Sequence, residues 1–128
     1  MNAGSSVFML VGSTGLVILL GLPLLISPMR WARKLGWKIP EEADLANYLG
    51  RSLGGVCLSI AIVGYLAARN PWLYRPVFEL VIILGLFGAG VHVYGFIRKS
   101  QPMFENLEIV VFLLVSALAW YFYPRSPA

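Results

Sequence analysis

Four apolar blocks dominate the chain: Val7–Ile26, Leu45–Ala68, Val77–Ile97 and Met103–Tyr121. Each is close to the ~20 residues that a helix needs to cross a hydrocarbon core. Within them the apolar residues run continuously, without the polar opposite face of a helix lying on a water-soluble core. Only 12% of the 128 residues are charged against 59% hydrophobic, too few to cover the surface of a soluble domain of this length. The reading is an all-α integral membrane protein: one domain over residues 1–128, an up-down bundle of four transmembrane helices. The expected spans are about 5–27, 43–68, 76–97 and 102–122.

The first block lacks a preceding basic region and is longer than the apolar core of a secretory signal, so it reads as a retained span. In it Pro23 removes a backbone donor and should loosen the last turn. The following stretch, Met29–Ile39, alternates Arg30, Arg33, Lys34 and Lys38 with Trp31, Leu35 and Ile39. At helical spacing this makes a basic face and an apolar face, which predicts a short interfacial helix in loop 1. Pro40 with Glu41, Glu42 and Asp44 predicts the start of the second span, since proline and acids suit a first helical turn.

Small residues mark the expected packing faces. The second span carries Asn47, Gly50, Gly54, Cys57, Ala61, Gly64 and Ala68 at steps of three and four. The third carries Gly85, Gly88, His92 and Gly95 in the same way. Such faces let helices approach closely in lipid. The six glycines 50, 54, 64, 85, 88 and 95 are therefore the expected packing positions. The lone Cys57 lies among them and reads as a packing residue, with no intrachain disulfide possible.

The ionisable residues inside the blocks are few and sit at similar depth. Asn47 and Arg51 lie near the start of the second span, His92 near the end of the third, and Glu105 and Glu108 near the start of the fourth. All of them belong to the side of loops 1 and 3. Groups of this kind must face one another or a wet cavity, because lipid solvates them poorly. Three roles fit. The first is a structural polar network of Asn47, Arg51, His92, Glu105 and Glu108, with Arg51 bridging a carboxylate. The second is catalysis or proton handling by His92, Glu105 and Glu108, the only histidine with two carboxylates at i,i+3 spacing. The third is a metal held by the same three residues. Against it stand the single histidine and an expected cation at Arg51. Arg75 and Glu79, four apart, read as an ordinary helix ion pair.

The formal charge of +4 and pI near 9.5 come from loop residues and not from a basic stripe interleaved with aromatics, so no nucleic-acid partner is expected. Loops 1 and 3 hold Arg30, Arg33, Lys34, Lys38, Arg98 and Lys99; the opposite side holds Arg69, Arg75 and Arg125. That bias places loops 1 and 3 in the cytoplasm and both termini outside, with a bacterial inner membrane as the expected location. The plan of four short spans with a basic first loop resembles that of small DoxX-like membrane proteins. The likeness covers the whole chain, is architectural, and transfers no residue roles.

The expected partners are the lipid bilayer and other transmembrane helices, of the same chain or a larger complex. No cofactor is named by the sequence. The functional expectation is a protein that works mainly by helix packing, as an accessory subunit or a homo-oligomer. The alternative is a small membrane enzyme or proton-coupled carrier that acts on a lipid- or quinone-like molecule through the His/Glu cluster.

Overall fold

The computed structural model describes residues 3–126, and every regular element among them is helical. Four helices are long and apolar enough to cross a membrane: α1 (Ala3–Ile26), α3 (Asp44–Arg69), α4 (Arg75–Arg98) and α5 (Met103–Tyr121). Between α1 and α3 lies a short helix, α2 (Pro28–Lys34). Beyond α5, Pro124 is fully buried.

Within α1, Val17–Gly21 forms a π-helical segment just ahead of Pro23. A proline has no N–H for the carbonyl one turn earlier, so the hydrogen-bond ladder widens there. Ser27 then breaks the helix at φ −151°, ψ 71°, and Pro28 opens α2 where a missing donor costs nothing. The helix expected over Met29–Ile39 is thus shorter than the amphipathic pattern. It ends at Lys34, and Gly36, at φ 91°, turns the chain in a conformation that suits glycine. The turn folds Trp37 back, its backbone N–H donating to Ala32 O at 3.1 Å. The start of α3 also differs from the expectation. Its first turn closes on Ala43, which accepts from Asn47 N at 2.7 Å, so Pro40, Glu41 and Glu42 stay in the loop.

The small-residue faces pair the helices within the chain. Along α1, the start of α2 and the facing α3, Ser13 lies against Gly64, Gly21 against Leu58, Leu25 against Gly54 and Pro28 against Gly50. The numbering rises on one helix as it falls on the other, so the pair is antiparallel. The buried line on α3 runs through Gly54, Cys57, Ala61, Gly64 and Ala67. Helices α4 and α5 form a second antiparallel hairpin, with Gly85 against Ser116, Gly88 against Phe112 and Gly95 against Gln101. Ser116 Oγ donates to Ile82 O at 3.1 Å, which satisfies a buried hydroxyl at the closest approach.

The hairpins are tied together at both ends and touch little along their length. At one end Phe8 stacks on Phe78 and Phe122, and Tyr123 meets Phe78 edge-on, over a core of Met9, Ala67, Val77 and Phe78. Ser5 Oγ adds a hydrogen bond to Phe122 O at 2.6 Å. At the other end Gly36 and Trp37 of loop 1 reach Pro102 and Glu105. There α4 ends at Lys99, which takes the left-handed conformation at φ 51°, and Ser100 N donates back to Gly95 O at 3.0 Å.

Candidate functional site

The small-residue face of α4 that packs on α5 carries one large polar side chain, His92. Gly88 and Gly95 flank it by one turn on either side, and its ring stacks on Phe112 with centroids 5.4 Å apart and planes at 25°. This wedges the imidazole between the helices, with a carboxylate within reach of each of its two nitrogens. Nε2 lies 3.2 Å from Glu108 Oε2, and Nδ1 lies 3.5 Å from Glu105 Oε2. One carboxylate therefore faces each ring nitrogen.

The two carboxylates are placed by the start of α5. Glu105 falls in its first turn, where the helix dipole favours negative charge, and Glu108 follows one turn on along the same face. Their surroundings differ. Glu105 is buried, and its Oε1 accepts a hydrogen bond from Trp37 Nε1 at 2.7 Å. The Glu108 side chain keeps 30% of its surface against 10% for Glu105, so the cluster is open on the Glu108 side. Gln101 braces the connection between α4 and α5: its Nε2 donates to His92 O at 3.1 Å and to Asn106 Oδ1 at 2.8 Å.

Of the five residues expected to form one polar network, His92, Glu105 and Glu108 come together, and Asn47 and Arg51 do not join them. Arg51 is exposed, and neither its side chain nor that of Asn47 makes a hydrogen bond or ion pair among the described residues. Equal depth along a helix does not fix direction around it. Both residues sit on α3, which packs on α1, whereas the cluster lies between α4 and α5. The pairing expected for Arg75 and Glu79 is also absent among the described residues. Arg75 instead lies over the Trp72 ring, 3.9 Å from its centroid, and Glu79 accepts from Tyr123 OH at 2.7 Å.

Sequence reasoning missed Trp37. The indole lies off the helical pattern of loop 1, and only Gly36, a signal for a tight turn beside it, hinted that the chain folds back there. Its hydrogen bond gives Glu105 a fixed orientation, with one oxygen held by the loop and the other left to the imidazole. Chemically, the arrangement is a histidine with a carboxylate on each side, one fixed and one open. Such a group can accept a proton at one nitrogen and release one at the other, or present three donor atoms to a cation. Comparisons of the chain with protein-family models, curated proteins and solved structures find no match.

Proposed function

We propose that the chain is a small integral membrane protein whose four long helices cross the bilayer up and down as a single domain. Loops 1 and 3 lie on the cytoplasmic side, in a bacterial inner membrane, and the termini lie outside. The orientation rests on the six basic residues of loops 1 and 3 against three on the other side. In this reading the protein is an enzyme or proton-coupled carrier for a lipid- or quinone-like molecule, and His92, Glu105 and Glu108 are its acid–base groups. The observation that carries it is the placement of His92 between Glu105 and Glu108, one carboxylate at each ring nitrogen. Glu108, on the open side, meets the molecule arriving from the lipid; His92 exchanges the proton with it; Glu105, held by Trp37, orients the ring from behind.

The test compares the wild type with Glu108→Gln and His92→Gln, each purified in mild detergent and extracted for bound lipid-soluble molecules. The expected result is a molecule enriched with the wild type and lost from both variants, with helicity and thermal unfolding retained. Equal recovery from all three proteins, or variants that do not fold, would count against an acid–base role.

A second reading, an accessory subunit or a homo-oligomer, drew on the small-residue faces. The six glycines behind it are all engaged inside the chain. What still favours docking of another helix is Gly12 and Gly15 on α1, three apart, where an added methyl group would meet nothing.

A further inference from the structure

The geometry points to a site for one divalent first-row transition-metal ion, with His92, Glu105 and Glu108 as its protein ligands. This rests on the reading of the cluster as the functional site; with the ion bound the three residues act as ligands, and the proton exchange belongs to the ion-free protein.

Three observations carry it. The first is the donor set. One donor atom from each of the three residues lies within 4.8 Å of the others. Bonds of ~2.0–2.2 Å from nitrogen and oxygen put two ligands of one ion up to ~4.4 Å apart. The first distance is slightly wider than that reach, so the three side chains draw in to close on an ion. The two glutamates at i,i+3 project from one helix face, as carboxylate ligands in helical bundles do.

The second is an unpartnered atom. His92 Nδ1 is buried and has no hydrogen-bond partner, although Glu105 Oε2 stands 3.5 Å away. That separation is too long for a good hydrogen bond and ordinary for two atoms sharing a metal. A buried polar atom with no partner is costly, and coordination would satisfy it.

The third is charge. The cluster brings two carboxyl groups together, and no Lys or Arg pairs with either among the described residues. Arg51, the cation expected to repel a metal here, is exposed and makes no ion pair with either carboxylate among the described residues. A divalent ion supplies the positive charge that no Lys or Arg among the described residues brings to these carboxylates. The Trp37 bond to Glu105 Oε1 is the outer hydrogen bond that orients a ligating carboxylate, and the open Glu108 side is the path of entry. One imidazole with two carboxylates suits Mn2+, Fe2+ or Zn2+; Mg2+ and Ca2+ favour all-oxygen sites.

The experiment takes the full-length protein in nanodiscs, stripped with chelator, and titrates it with MnCl2 or ZnCl2. Isotope-labelled histidine reports on the ring nitrogens, and the chain's single histidine makes the signal unambiguous. The expected result is saturable binding of one ion per chain. The His92 signal moves with it, affinity falls at least tenfold in Glu108→Gln and in Glu105→Gln, and equimolar MgCl2 does not compete. Failure to saturate at one ion per chain, or binding that leaves the His92 signal unmoved, would overturn the site. The wild-type observation stands even if a variant fails to fold. A protein that takes up no ion yet retains a lipid-soluble molecule that Glu108→Gln loses would show that the metal inference fails while the acid–base reading survives.

Discussion

Trp37 donates its indole N–H to Glu105 across 68 positions of sequence, at 2.7 Å, and so joins loop 1 to the first turn of α5. The contact ties the hairpin of α1 and α3 to that of α4 and α5 at the end where the polar cluster lies. It also leaves only one Glu105 oxygen to face His92.

Trp37→Phe keeps an aromatic side chain, though a smaller one, and removes the donor. A hydrogen bond to a charged group is worth ~1.5–3 kcal/mol when buried, and partial exposure of the indole reduces this, so a loss of about 1–2 kcal/mol is expected. Equilibrium unfolding in mixed micelles measures it. An unchanged stability would mean that the hairpins do not depend on this tie.

Gly54 and Gly55 are neighbours with opposite expectations. An added Cβ at Gly54 would run into the Leu25 backbone and Gly21 O, which cannot yield cheaply; at Gly55 it would meet nothing. Gly54→Ala should cost about 1–3 kcal/mol by forcing α1 and α3 apart. Gly55→Ala should be neutral or slightly stabilising, since alanine favours the helix by up to ~1 kcal/mol. The same unfolding measurement separates them.

Arg51→Ala should change stability by less than ~0.5 kcal/mol, because the side chain is exposed and makes no ion pair among the described residues. A large loss would restore Arg51 to the polar network.

Tyr123 lies beyond the end of α5, and its hydroxyl donates to Glu79. That hydrogen bond raises the phenol above its usual value, with burial and the Glu79 charge acting the same way and Arg75 opposing. A raised folded-state value favours the neutral phenol. Its contribution to stability is therefore complete below the ordinary tyrosine range near ~10 and is lost as pH rises through the higher folded value. The phenolate absorbance of the wild type minus that of Tyr123→Phe should titrate above the ordinary range. A titration within it would show that the Glu79 bond does not form.

The helices were legible because four runs have the length and continuous hydropathy that crossing a bilayer would require. The faces were legible where small residues repeat at helical spacing. His92 was placed between helices because it shares a face with Gly85, Gly88 and Gly95. Arg51 was misread because depth along a span says nothing of direction around it, and α3 turns its small face to α1. Pro40 was misread because a proline-and-acid signal fits both a helix start and the loop before one. Trp37 was invisible because its contact depends on the turn at Gly36, a tertiary relation that no local pattern carries.

The central claim is that the His92–Glu105–Glu108 cluster serves a bound molecule and not a partner protein. The most direct test is native mass spectrometry of the intact assembly, released gently from its native membrane. The expected result is one to a few copies of this chain alone, carrying a lipid-soluble small molecule that Glu108→Gln does not retain. A stoichiometric foreign chain, with no small molecule bound or with one that Glu108→Gln retains equally, would contradict it and make the cluster part of a scaffold.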